Sequence, residues 1–188
     1  VFPSLVFSLP KGTPMKVRNT LLAAAVALVA GVSFQASAAE TSSTFQVTAT
    51  VASSCAIMGA ANLEFDSYNP VSTNATAALL GFSSGIQVRC NGGTTAKVQL
   101  DEGLNKAAGS TCSAPNRAMV NGTGDRLSYQ LASNGSISDI WGCASDTEET
   151  LTFTTLETKN QMVFGEIPAG QAVPVGSYAD TVTVKVSF

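Results

Sequence analysis

The sequence contains no histidine, and this absence removes several kinds of active site at once. Hydrolases of the Ser-His and Cys-His kinds need an imidazole to take the proton from their nucleophile. Zinc sites are built mainly from histidine and closely spaced cysteine, yet Cys55, Cys90, Cys112 and Cys143 include no C-x-x-C pair. We therefore expect neither this kind of catalysis nor a zinc centre.

Basic residues are also scarce. The chain has 10 Lys and Arg against 13 Asp and Glu, and Lys11, Lys16 and Arg18 all precede residue 39. From residue 39 onward 7 basic residues face 13 acidic ones, so the net charge is 7 − 13 = −6. An acidic chain without a basic stripe argues against nucleic acid and against anionic membrane surfaces as partners.

The acidic residues form no regular ligand pattern. Asp101 and Glu102 are adjacent, and Asp146, Glu148 and Glu149 form a second group. Glycoside hydrolases use a pair of carboxylates as their catalytic residues. The second group is also a candidate calcium site, but it lacks the Asp-x-Asp-x-Asp-Gly spacing. We favour solvated loop charges over both alternatives, and we predict no enzyme activity, no cofactor and no metal.

Long apolar runs are missing except near the N-terminus. Lys16 and Arg18 follow Met15, residues 21–32 are uncharged and apolar, and Ala36-Ser37-Ala38 supplies small residues before Ala39. This order is typical of a signal peptide, and the run is too short for a membrane anchor. We predict a signal peptide over residues 15–38, a gene-model extension over residues 1–14, and an exported chain without membrane insertion from Ala39.

All four cysteines lie in the predicted exported part. An even number in an exported chain indicates disulfides, and four cysteines allow three pairings. We favour the sequential pairs Cys55–Cys90 and Cys112–Cys143, which would each contribute roughly 3 to 4 kcal/mol by closing their loops.

Apolar residues alternate with polar ones in about eight short runs, separated by Gly, Asn, Asp and Ser. This period of two predicts an all-β protein, most simply a β-sandwich. The apolar positions of the runs are Phe45, Val47, Ala49 and Val51; Leu63 and Phe65; Ile86, Val88 and Cys90; Val98 and Leu100; Leu127, Tyr129 and Leu131; Leu151 and Phe153; Met162 and Phe164; and Val182, Val184, Val186 and Phe188. Residues 101–116 are predicted to form a long loop.

The C-terminal stretch IPAGQAVPVGSYADTVTVKVSF, residues 167–188, resembles the end of the spore coat protein U domain. The resemblance continues upstream through FQVTATVASSCAI, LEFDSY, IQVRC, LSYQLASN and the pair Trp141-Gly142, and so covers nearly all of residues 39–188. This family supplies subunits of archaic chaperone–usher pili.

The resemblance implies an incomplete immunoglobulin-like sandwich that lacks its last strand. A periplasmic chaperone would fill the resulting groove first, and the N-terminal arm of the next subunit would replace the chaperone in the fibre, which is strand addition to a sheet edge. The domain is then residues 55–188, and the donor arm is residues 39–54.

The sequence contains an apolar face for the donated arm and an apolar face for the strand edge that would receive it. The arm carries Phe45, Val47, Ala49 and Val51 on one face, and the C-terminal run presents Val182, Val184, Val186 and Phe188, with Tyr178 further upstream. An apolar open edge of this kind invites pairing with another chain. The alternative is that the arm is the first strand of its own sandwich.

We therefore predict a structural pilus subunit on the cell surface that polymerises with copies of itself or related subunits, with a chaperone and an outer-membrane usher as partners. Adhesion or biofilm formation is the expected role. The alternatives are a tip or binding module that contacts a surface or glycan, and a free periplasmic or coat protein.

Overall fold

The structure is a computed structural model that describes residues 39–188. The predicted signal peptide and the predicted extension before it therefore lie outside the described residues. The described residues contain no helix long and apolar enough to cross a membrane.

Eight strands and one short helix account for the regular structure of the described residues. Turn-forming residues separate most of them, as at Asn91-Gly92-Gly93 between the second and third strands, where Gly93 has φ +82°. The elements are β1 (Cys55–Ala60), α1 (Thr73–Thr76), β2 (Leu79–Cys90), β3 (Thr94–Leu100), β4 (Arg117–Val120), β5 (Arg126–Ala132), β6 (Glu149–Phe153), β7 (Glu157–Ile167) and β8 (Val184–Ser187).

The strands form two antiparallel sheets that share one apolar core. The larger sheet has the order β1-β2-β7-β5-β4, and the smaller has the order β6-β3-β8. Their inward side chains interdigitate as in a sandwich of the immunoglobulin type. The buried core residues include Ile86, Val88, Val98, Leu100, Leu127, Leu131, Trp141, Phe153 and Ile167.

The all-β prediction is confirmed, although the individual runs were not all strands. Residues 45–51 and the Leu63–Phe65 run lie in no strand, whereas β4 matches none of the predicted runs. In β7 the alternation was assigned to the wrong face, because Val163 and Ile167 are buried while Met162 points outward and is 38 % exposed. Met162 and Phe164 make part of the outward face apolar too, so period two did not identify the inward face.

Two disulfides join the pairs that the sequence analysis favoured. Cys55 pairs with Cys90 between the neighbouring strands β1 and β2, at positions that face each other in the ladder. Cys112 pairs with Cys143 and fastens the long loop before β4 to the segment after Trp141. The described residues contain no free cysteine.

Candidate functional site

A long open groove runs along one side of the domain. Its volume is about 1150 Å³, and two chain segments without regular structure flank it. We call residues 61–70 the first wall and residues 173–182 the second wall. The floor consists of buried core residues that line the groove: Ile86, Leu100, Leu127, Tyr129, Leu131, Val163 and Ile167.

The groove lies beside an unpaired strand edge of the smaller sheet. β8 bonds to β3 through the pairs Val98↔Val186 and Leu100↔Val184, and the described residues provide no strand along its other edge. The apolar residues Val182, Val184 and Val186 are only half-buried in consequence, and Phe188 is 57 % exposed. Of the residues predicted for the C-terminal edge strand, Val184 and Val186 lie in β8, which ends at Ser187, whereas Tyr178, Val182 and Phe188 lie outside it.

The floor contains one polar group, the hydroxyl of Tyr129. It donates a hydrogen bond of 2.7 Å to Oδ2 of Asp180, whose Oδ1 accepts bonds of 3.0 Å from the backbone and side-chain nitrogens of Asn105. Burial raises the pKa of Tyr129 far above its ordinary value, and the carboxylate of Asp180 adds to the shift. The tyrosine therefore remains neutral in the folded protein and ties the floor to the second wall.

This raised pKa predicts a loss of stability in alkali. Unfolded tyrosine ionises near pH 10, so the contribution of Tyr129 is complete below about pH 10 and declines above it by up to about 1.4 kcal/mol per pH unit. We expect the urea midpoint of the native protein to fall more steeply between pH 9 and pH 11 than that of Tyr129→Phe. Equal slopes for the two proteins would show that Tyr129 does not carry this dependence.

The first wall is held by aromatic side chains that enter the domain. Leu63 and Phe65 pack against Gly81 of β2 and Gly165 of β7, and the Phe65 ring meets Tyr129 edge-on at 6.5 Å between centroids. At the far end Tyr68 donates a 2.9 Å hydrogen bond to the carbonyl of Pro168. Leu63 and Phe65 were predicted as a strand, but their side chains instead fill the space above Gly81 and Gly165.

Adding a methyl group at Gly165 should loosen this wall. An alanine Cβ there would lie 2.6 Å from Cζ of Phe65 and 2.9 Å from Cδ1 of Leu63, closer than atoms can approach. We expect Gly165→Ala to lower the free energy of unfolding by about 1 to 3 kcal/mol, because the side chains of Phe65 and Leu63 must shift. Gly122→Ala is the matched control, since nothing lies within 4 Å of its Cβ. Denaturant unfolding measures both, and equal losses would refute the contact as the cause.

The second wall is anchored by the loop after β3. Oδ1 of Asp101 accepts a 2.9 Å hydrogen bond from the backbone nitrogen of Thr183. Partial burial would raise the pKa of Asp101, but the hydrogen bonds from Thr183 and Gly103 outweigh it and lower that pKa. Arg117, which is fully buried, in turn donates to the carbonyls of Leu100, Asp101 and Trp141. These bonds fix the chain at Thr183, just after the second wall, to the loop that follows β3.

The predicted donor residues are all exposed. Every residue from 39 to 54 is exposed and belongs to no strand. The exposed fractions are 87 % for Phe45, 82 % for Val47 and 85 % for Val51, and Ala49 is exposed as well. The first strand of the described residues, β1, begins at Cys55, after the arm.

The carboxylates considered for catalysis or calcium have other partners. Glu148 forms an ion pair with Lys97 and accepts a 2.6 Å hydrogen bond from Gln99, and Glu149 accepts a hydrogen bond from Ser133. Residues 39–188 contain no group of three or more Asp, Glu, Cys or His placed to hold a metal ion.

A family model called the Spore Coat Protein U domain matches residues 41–185. The chain belongs to the spore coat protein U domain family. Protein U of Myxococcus xanthus is 36 % identical over 180 residues, which cover 93 % of this chain and 100 % of that protein. The predicted family membership is thereby confirmed.

This spore coat protein U domain is also similar to a chain in a crystal structure of the CsuC–CsuE chaperone–tip adhesion subunit pre-assembly complex, from the archaic chaperone–usher Csu pili of Acinetobacter baumannii. The sequence identity is 25 % and the TM-score is 0.47. The match covers 74 % of this chain and 40 % of the other, so this chain spans less than half the length of that solved chain.

Proposed function

We propose that the protein is a structural subunit of a chaperone–usher pilus, which polymerises when the arm of one subunit enters the groove of the next. One observation carries the proposal. A groove with an apolar floor lies open beside the unpaired edge of β8, in a chain whose own N-terminal arm has a fully exposed apolar face.

The arm and the groove have matching chemistry. Phe45, Val47, Ala49 and Val51 lie on one face of the arm when it is extended, and the seven residues of that stretch span roughly 20 Å at the rise of a β-strand. The floor offers aliphatic and aromatic side chains to this face. The edge of β8 offers free backbone groups to the main chain of the arm, as in other cases of strand addition.

Burial supplies the driving force for the exchange. Each large apolar side chain that moves from water into the groove stabilises the contact by roughly 1.5 to 3 kcal/mol. In the unassembled subunit Phe45, Val47 and Val51 are exposed, and Val184 and Val186 of β8 are only half-buried, so both surfaces lose contact with water when they meet. Free strand edges of this apolar kind associate unless something covers them.

The proposal assigns partners and a location. A periplasmic chaperone covers the groove before assembly, an outer-membrane usher exports the subunits, and other subunits provide the arms. The fibre acts on the cell surface by holding surfaces together, in adhesion or biofilm formation. Strand exchange and disulfide formation are its chemistry, so no catalytic step, cofactor or metal is required.

Deletion of the arm tests the proposal. A chain that starts at Ser54 retains both disulfides and the whole groove. We expect it to fold with its chaperone but to form no fibres, whereas the chain from Ala39 forms assemblies visible by light scattering and electron microscopy. Fibres from the arm-deleted chain, or a stable monomer from the chain with its arm, would contradict the proposal.

A further inference from the structure

We infer that Asn91 is a positioning residue that fixes the root of the arm, so that the donated strand leaves its own domain in a set direction. The inference rests on the proposed function. It concerns residues 52–54, which lie immediately after the apolar face of the arm and immediately before Cys55.

Asn91 holds this root with its side chain and its backbone. Its Nδ2 donates a 2.9 Å hydrogen bond to the carbonyl of Ala52, and its Oδ1 accepts one of 2.9 Å from the backbone nitrogen of Ser54. Its own backbone nitrogen donates a 3.2 Å bond to the carbonyl of Ser54. Buried Thr94 donates a 2.7 Å bond to the same Oδ1 and orients the amide.

We call these bonds of Asn91 to Ala52 and Ser54 the clamp. The neighbouring disulfide makes the clamp rigid. Cys90 precedes Asn91 and is bonded to Cys55, which follows the root, and the two Cα atoms are 4.2 Å apart. Residues 52–54 are exposed and belong to no strand, so these hydrogen bonds are what holds them against β2 and the turn after it. Three hydrogen bonds to one asparagine therefore restrain this exposed tripeptide.

The clamp removes the flexible linker between domain and donor strand. Val51 is the last apolar residue of the arm, and the next residue, Ala52, is already bonded to Asn91. A strand donated by this arm is therefore coupled directly to its own domain, and successive subunits cannot swivel freely. Restricting the arm before binding also lowers the entropy that is lost when it enters a groove.

A purely structural role for Asn91 is the competing explanation, because Asn91 also begins the turn between β2 and β3. The two roles differ in what they change. A turn former affects the stability of the domain, whereas a positioning residue affects the mobility of residues 52–54 and the stiffness of the fibre at nearly constant stability.

The first measurement uses a self-complemented chain, in which a copy of residues 44–52 follows Phe188 through a flexible turn while the native arm is retained. We expect Asn91→Ala to raise the hydrogen-exchange rate of the Ser54 amide about tenfold or more, because that amide loses its acceptor. Asn91→Asp keeps this acceptor and loses only the bond to Ala52, so its effect on Ser54 should be smaller. An unchanged Ser54 rate in Asn91→Ala would overturn the inference.

The second measurement uses fibres of the full chain. We expect Asn91→Ala to shorten their persistence length in electron micrographs, and insertion of Gly-Gly between Val51 and Ala52 to do the same while the clamp and the domain stay intact. Fibres of native stiffness from both variants would also overturn the inference, even if the melting temperature of Asn91→Ala fell.

A peptide of residues 41–54 separates this inference from the proposed function. It should bind the arm-deleted chain equally well with and without Asn91→Ala, because the groove is unchanged. Failure of the peptide to bind the arm-deleted native chain would overturn the proposed function, and the inference with it. Binding that is lost only in Asn91→Ala would show that Asn91 supports the groove and is not a positioning residue for the arm.

Discussion

A single carboxylate on the apolar face of the arm is expected to abolish polymerisation. Val47→Asp and Val51→Asp should leave the unassembled domain unaffected, because both valines are at least 82 % exposed there. In the fibre the same charge would lie unpaired against the apolar floor, at a cost of about 3 to 5 kcal/mol. Each contact then weakens by roughly two to nearly four orders of magnitude. Light scattering and electron microscopy measure the loss of fibres.

Thr48→Asp provides the matched control. Thr48 lies between Val47 and Ala49 and points to the opposite face of an extended arm, so its charge remains in water when the arm is donated. We expect fibres of nearly native length from this variant. Fibres from Val47→Asp, or equal losses from Val47→Asp and Thr48→Asp, would show that the apolar face of the arm does not enter a groove.

Filling the groove within one chain is expected to convert the subunit into a stable monomer. In the self-complemented chain the copied strand covers the floor and pairs with β8, so no groove remains for a neighbour. The copied phenylalanine and valines each contribute roughly 1.5 to 3 kcal/mol on burial, which corresponds to a rise in melting temperature of about 10 °C or more for a domain of this size.

A copy that carries aspartate in place of the residue equivalent to Val47 is the control for the added length. It should give neither the monomer nor the higher melting temperature, because its strand cannot bury the charge. If the apolar copy and the charged copy have the same melting temperature, then the groove does not accept this strand.

The sequence predicted the fold class because its inward residues alternate over several strands. Val88 with Ile86, and Leu131 with Leu127, are buried as the period of two requires. The arm shows the limit of that pattern. Its alternation is as regular as that of any strand, but it lies in no strand of the described residues. Periodicity indicates that one face is apolar enough to be buried, and it does not indicate which chain buries that face.

The first wall of the groove was mispredicted for a physical reason. Leu63 and Phe65 alternate like strand residues, yet they fill the space that Gly81 and Gly165 leave open on two other strands. Glycine on the inward face of a strand admits a side chain from elsewhere, and the sequence does not reveal which one arrives. β4 was missed as well, since its central pair Ala118-Met119 gives too short a pattern to recognise.

The hydrogen bonds that hold the root of the arm could not be predicted from the sequence. Asn91 was interpreted only as part of a turn, which it is, and nothing in the order of residues indicates that its side chain reaches Ala52 and Ser54 across the disulfide. Hydrogen bonds between residues 37 and 39 positions apart depend on the register of β1 and β2. That register is a property of the folded sheet.

Mixing two chains that cannot polymerise alone tests the donated strand most directly. The arm-deleted chain has an open groove and no arm, and the self-complemented chain has a free native arm and a filled groove. We expect the mixture to form a complex of one copy of each, detected by light scattering, and Val47→Asp in the free arm to abolish it. If the two chains remain separate, with each of them folded, then the arm of one subunit does not fill the groove of another.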